Sequence, residues 1–255
     1  MAPRAPGPVP MPYDLDAAQH VSIEWPAPGI TPRGITALIH GGYWRSHLHA
    51  SLMDPLAASL RENGWVTANV EYRRGTTGQW PAPLDDVRKA LALVSELKQA
   101  ERIGGPLIAV GHSVGGQLAL LTAPLVDAVV ALAPVTDVER TYRERLGDDA
   151  AAEYFGVSPE DAPEAYCAAS PMRQPLGNTQ ILVLHGINDD RVPMSHSRDF
   201  VAAANTQAAR VSLVEYDHLG HLEAIDPLAD HWPNALSWMS AASGPTPREP
   251  RSESA

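Results

Sequence analysis

Three features of the sequence point to an α/β fold, a mainly parallel central sheet with helices on both faces. Short apolar runs of strand length alternate along the chain with longer stretches of helical spacing. The runs are apolar nearly throughout, as strands covered on both faces are. A chain of 255 residues that is 44% hydrophobic can bury one sizeable core, and folds of this class often reach that length undivided.

Taken in order, residues 1–12 are rich in proline and are expected to form a flexible arm. A single domain then runs over 13–242, and a disordered tail rich in Pro, Ser, Arg and Glu over 243–255. Strands are expected near 21–25, 35–40, 65–71, 106–111, 127–133, 180–185 and 210–216. Helices are expected near 49–63, 84–101, 115–123, 194–205 and 228–241. Within Leu84–Gln99, the spacing puts Val87, Ala90, Leu91 and Val94 on one helical face. Trp25, Trp65, Trp232 and Trp238 are expected to be structural. After Ala133-Pro134 about 45 residues pass before the next strand, too many for a simple crossover. This segment, 137–177, carries Tyr142, Tyr154, Phe155, Tyr166 and Met172 among many charges. It reads either as surface helices with their own apolar seam or as a small cap lending aromatic groups to a binding pocket. There is no internal repeat.

The first chemical motif is Gly111-His112-Ser113-Val114-Gly115, between the apolar run Pro106–Val110 and a helix-like run from Gln117 to Leu121. A G-x-S-x-G in a strand–turn–helix setting is a nucleophile elbow, a strained turn that lifts the serine hydroxyl above the sheet. Its glycines are needed because strand and helix backbones pass too closely for a side chain. A serine hydroxyl is a weak nucleophile, so a neutral imidazole must take its proton and a carboxylate must orient that imidazole. Both follow downstream. The strand Gln180–Leu184 runs into His185-Gly186-Ile187-Asn188-Asp189-Asp190-Arg191-Val192-Pro193, and the strand Val211–Tyr216 into a loop with His218, Gly220 and His221.

Two choices arise. Of the adjacent aspartates, Asp189 is favoured, with Asp190 a surface or capping group. Of the histidines, His221 is favoured because Gly220 gives its loop freedom, and His218 reads as an exposed loop residue. His112 is expected to pack with its ring pointing away from the reacting centre. A third motif, His40-Gly41-Gly42-Tyr43-Trp44, follows the strand Ile35–Ile39. A glycine pair at a strand end lets backbone amides converge, and H-G-G loops of this kind form half of an oxyanion hole, the other half being the amide after the nucleophile, Val114.

The chain resembles the α/β-hydrolases, whose triads run in the order Ser, Asp, His. It is most similar to their kynurenine formamidase (arylformamidase) and small esterase-like branch. The resemblance rests on His40–Trp44, Glu71-Tyr72-Arg73-Arg74, Trp80-Pro81 with Asp85-Asp86-Val87, the elbow, Leu132–Val135, Ala169-Ser170-Pro171, His185–Pro193, and His221 with Ile225-Asp226-Pro227. It implies Ser113 as nucleophile, Asp189 and His221 as its partners, and the amides of Gly42, Tyr43 and Val114 as an oxyanion hole. Tyr43, Trp44 and Trp80 are candidates for a substrate pocket, with packing the competing role, above all for Trp80. The sequence departs from the pattern at Val114, often alanine in such relatives, and at Asp217-His218-Leu219, which bears on substrate identity more than on mechanism.

The implied activity is serine hydrolysis of a small aryl formamide or ester through an acyl-enzyme. Alternatives are a general carboxylesterase, a biosynthetic enzyme using the triad for acyl transfer, cyclisation or elimination, and a non-catalytic binding protein on the same fold. The net charge of -11 argues against nucleic acid and anionic membrane surfaces as partners and leaves a small-molecule substrate. The single cysteine, Cys167, cannot form an internal disulfide and is expected to be inert. His47 and His49 lack a carboxylate or cysteine cluster for a metal, and no phosphate-binding glycine motif follows a strand, so no metal or cofactor is expected. No signal-peptide pattern and no bilayer-length apolar run is visible, and the expected location is cytoplasmic.

Overall fold

The computed structural model describes residues 9–206 and 209–242. Eight strands form one sheet: β1 (Val9–Pro12), β2 (His20–Glu24), β3 (Ile35–Ile39), β4 (Val66–Glu71), β5 (Leu107–His112), β6 (Ala128–Leu132), β7 (Gln180–Gly186) and β8 (Val211–Tyr216). Their order is β1-β2-β4-β3-β5-β6-β7-β8. The pairs β1·β2 and β2·β4 are antiparallel and all others parallel.

The expected arm at 1–12 is corrected in part. Residues 9–12 pair with β2 from Val9↔Ile23 to Pro12↔His20. Proline discouraged a strand reading, but an edge strand tolerates it where the missing N–H faces outward. Residues 1–8 and the tail from 243 lie outside the described residues.

Successive strand residues face opposite sides of the sheet. Ile35, Ala37, Ile39, Ala109, Val129, Ala131, Ile181 and Val183 join one core. That core includes Leu84, Val87, Leu91 and Val94 of α2 (Ala82–Ala100), Leu118 of α3 (Val114–Leu121) and Phe200 of α7 (Ser195–Thr206). Leu38, Ile108, Val110, Val130, Leu132, Leu182 and Leu184 face the other core, with Leu56 and Leu60 of α1 (Asp54–Glu62) and Trp232 and Met239 of α8 (His231–Ala242). This double coverage explains why the strand segments are apolar nearly throughout. Trp65 and Trp232 are buried anchors as expected, and Trp238 packs at the edge of the second core, but Trp25 is exposed.

The insertion holds α4 (Val138–Arg143), α5 (Leu146–Phe155) and α6 (Pro163–Ala169). Residues 147–149 in the first turn of α5 take left-handed backbone angles. From β3 the chain runs to β4 on one side of the sheet, then to β5 on the other. The carboxyl ends of β3 and β5 therefore flank a topological switch point, where α/β sheets leave a crevice for ligands.

Candidate active site

All three motifs lie at the carboxyl ends of parallel strands. At the end of β5, Ser113 takes φ 57° and ψ −119°, a conformation that costs a non-glycine residue about 1–3 kcal/mol. The surrounding backbone holds it there. Ser113 N–H donates to the Leu132 carbonyl at 2.9 Å, and the Ser113 carbonyl accepts from Gln117 and Val135. The flanking glycines are sterically required: a Cβ on Gly111 would lie 2.2 Å from the Gly115 carbonyl oxygen, and one on Gly115 would lie 2.0 Å from that of Ile39. Gln117, one turn into α3, reaches the insertion by donating to the Ala169 carbonyl at 2.7 Å.

Asp189 and His221 come together. His221 Nδ1 lies 2.7 Å from Asp189 Oδ2. The other carboxylate oxygen, Oδ1, accepts the amides of Arg191 and Val192 at 2.8 and 2.9 Å, so the carboxylate cannot swing. Burial alone would raise the Asp189 pKa, but hydrogen bonds from His185 and His221 and the Val192 amide hold it far below the usual carboxylate range. Asp190 and His218 are exposed. The two loops are fastened together: Ile187 N–H donates to the Tyr216 carbonyl at 2.8 Å, and the Asn188 side chain to the Asp217 carbonyl at 2.6 Å. A Cβ on Gly186 would lie 1.6 Å from the Leu219 carbonyl oxygen. No hydrogen bond joins Ser113 Oγ to His221 Nε2 among the described residues, and such contacts tighten when substrate binds.

Two further buried histidines lie against this pair. His112 does not turn away from the centre. Its ring lies 4.6 Å from the His221 ring, and its Nε2 donates to the His221 carbonyl at 2.9 Å. Burial lowers its pKa to about 3, which keeps it neutral, and its hydrogen bond holds the backbone of His221. His185 is fully buried, with Nδ1 on Ser197 Oγ at 2.7 Å and Nε2 on the Val192 carbonyl at 2.9 Å, 3.2 Å from Asp189 Oδ2. The H-G-x-x-D spacing carried that signal, four residues ahead of Asp189.

The His40–Trp44 loop closes on the elbow. A Cβ on Gly41 would lie 2.8 Å from Ser113 Cβ, so only glycine permits the approach. Gly42, Tyr43 and Trp44 all have positive φ (128°, 50° and 58°). Val114 opens α3, where the first amides have no partner within the helix and the dipole favours negative charge. Tyr43 donates its hydroxyl to the Arg191 carbonyl at 2.9 Å, linking this loop to the Asp189 loop, and burial pushes its pKa up to about 12.

The pocket candidates sit in an aromatic cluster. Trp44 is buried and stacked on Tyr154 at 5.3 Å, and half-buried Trp80 lies 6.2 Å from Phe155. Tyr43 and Trp44 border a cavity of about 120 Å³ with Arg45, Gln79 and Tyr154. The same cluster contains Val114 and Val192, the neighbours of the elbow and of the Asp189 loop. The insertion therefore packs beside the site as well as on itself. A Cβ on Gly147 would lie 2.5 Å from the Tyr43 ring. Among the described residues no group of three or more His, Cys, Asp or Glu is placed to hold a metal, and no helix is long and apolar enough to cross a membrane.

Residues 62–238 match the prolyl oligopeptidase family. The chain belongs to the prolyl oligopeptidase family. Its sheet and structural neighbours show the α/β-hydrolase fold. Among relatives of this prolyl oligopeptidase family chain, esterase LipQ of Mycobacterium tuberculosis is 30% identical over 83% of this chain and 56% of that protein. The chain thus spans little more than half the length of the curated relatives it matches. A truncated carbohydrate esterase from gut microbiota superposes with a TM-score of 0.79 at 18% identity, over 93% of this chain and 99% of that one. Esterase 2 of Thermogutta terrifontis, phosphonylated by sarin, superposes with a TM-score of 0.71 at 20% identity, over 94% of each chain.

Proposed function

We propose that this chain is a serine hydrolase of the carboxylesterase type, acting on a small-molecule ester through an acyl-enzyme on Ser113. The observation that carries the reading is the 2.7 Å coupling of His221 to an immobilised Asp189, at the same sheet edge as a strained Ser113. In this mechanism Ser113 Oγ attacks the acyl carbon as His221 Nε2 takes its proton. The amides of Gly42, Tyr43 and Val114 hold the oxyanion, and removing one such donor elsewhere costs about 10²–10³ in kcat. His221 then protonates the leaving group, and water attacks the acyl-enzyme with His221 as base. The esterase names of the curated relatives support the ester as substrate.

A second substrate class, N-formyl aryl amines, draws support from the H-G-G-Y-W loop and from the half-buried Trp80 and Phe155 beside the site. In both cases the insertion acts as a small cap whose aromatic groups bound the pocket. The test compares purified protein with Ser113→Ala on a short-acyl aryl ester and on N-formylkynurenine. Serine-dependent ester turnover is the expected result. Turnover of the formamide alone would replace the ester reading with a formamidase one, and turnover of neither would refute both.

A further inference from the structure

The motif Glu71-Tyr72-Arg73-Arg74 follows β4 and has no part in the reaction above. Glu71 and Arg74 are 8% and 4% exposed, and buried charges are retained only when paired and hydrogen-bonded. Arg74 Nη1 bonds to Glu71 Oε1 and, at 2.5 Å, to the Tyr72 carbonyl. This pair also holds both ends of the loop 40–50, which contains the candidate oxyanion amides.

At the start of the loop, Glu71 Oε1 lies 3.3 Å from His40 Nε2. The His40 ring stacks on Tyr72 at 4.4 Å, and the Tyr72 hydroxyl donates to the His40 carbonyl at 2.8 Å. At the far end, Glu71 Oε2 accepts the Ala50 amide at 3.0 Å. Arg74 Nη2 bonds to His49 Nδ1 at 2.8 Å and reaches the Ser46 carbonyl at 3.5 Å. Asn69, also on β4, donates to the Ala50 carbonyl at 2.9 Å. Between these ends, His40 Nδ1 donates to the Gly41 carbonyl at 2.7 Å. In a planar trans peptide that carbonyl and the Gly42 N–H point in opposite directions. A ring that holds one therefore aims the other.

We infer that Glu71 is a positioning residue: with Arg74 and Tyr72 it clamps both ends of the loop 40–50 and so fixes the direction of the Gly42 and Tyr43 amides. The inference rests on the esterase reading. It also makes the carboxylate at 71 hard to replace. Oε1 faces the Arg74 donor and Oε2 faces the Ala50 donor, so an amide nitrogen on either side meets an N–H.

The test measures kcat and KM of full-length Glu71→Gln and Tyr72→Phe on the short-acyl aryl ester. It adds inhibition by an aryl trifluoromethyl ketone, whose serine adduct carries an oxyanion, and by the product carboxylate. For Glu71→Gln, kcat falls by about 10- to 100-fold with KM within about 2-fold, because small displacements of oxyanion donors carry costs of this order. Ketone affinity falls in step with kcat/KM, and product affinity stays unchanged. Tyr72→Phe removes one hydrogen bond and shows the same split at about 3- to 10-fold. If Glu71→Gln does not fold, Tyr72→Phe decides alone. A kcat within about 2-fold of wild type in the folded variants, or a raised KM with kcat retained, overturns the inference. A wild-type protein lacking Ser113-dependent ester turnover is a separate failure, since it removes the esterase reading itself and the clamp's role with it.

Discussion

Asp189→Asn tests the site most directly, because the structure dictates how the new amide must sit. One carboxylate oxygen accepts two backbone amides and the other accepts His221. Turning the NH2 toward the Arg191 and Val192 amides would orphan two donors, each at about 1–3 kcal/mol. The amide oxygen therefore stays on the backbone, and the NH2 faces His221 Nδ1. That nitrogen must then become an acceptor, which moves the ring proton to Nε2, where it can no longer take the proton of Ser113. In a serine protease the equivalent change costs about 10⁴ in kcat, or about 5 kcal/mol of transition-state stabilisation. The assay is steady-state hydrolysis of a short-acyl aryl ester by folded Asp189→Asn, with Asp190→Asn as comparison. A fall of about 10³–10⁴ in kcat is expected at 189 and less than about 2-fold at exposed 190. Asp189→Asn retaining a tenth of wild-type kcat, or equal losses at the two positions, would contradict this account of the tautomer.

Three further outcomes follow from other parts of the molecule. Gly115→Ala drives a Cβ against the Ile39 and His40 carbonyl oxygens, which are backbone and yield little, so denaturant titration should show a loss of about 3 kcal/mol, the upper end for overpacking; a variant of wild-type stability would contradict the steric account of the elbow. Phe155→Ala removes an aromatic group beside Trp80 and should raise KM for aryl esters by about 2- to 12-fold while leaving alkyl esters nearly unaffected; equal changes in both series would remove the cap's role in binding. Glu71 has its carboxyl lowered from 4.5 to about 2: burial opposes this, but His40, the Ala50 amide and Arg74 outweigh burial. A folded pKa below the unfolded one gives stability that is complete above pH 4.5 and lost as pH falls toward 2, about 3 kcal/mol here. Acid unfolding followed by circular dichroism should thus be less steep over that range in Glu71→Gln, and an unchanged slope would show that the carboxylate gains nothing on folding.

The fold class and the candidate residues are legible in residue type and spacing. Unbroken apolar runs such as Leu107–Val110 and Ile181–Leu184 report strands covered on both faces, and local steric need pins glycine at 111 and 115. The order of Ser113, Asp189 and His221 was legible because each follows a strand of the same parallel sheet. Prolines hid β1, since a strand's identity there depends on lying at an edge with β2 to pair with. What distant segments do to one another is visible only in the folded chain. It showed His112 braced against His221, and His185 buried against Asp189. It also placed the insertion on Val114 and Tyr43, and closed Glu71 and Arg74 over both ends of the loop 40–50. Those contacts join residues far apart in the chain through hydrogen bonds and packing, and residue type and periodicity record only what a residue needs, not which distant partner supplies it.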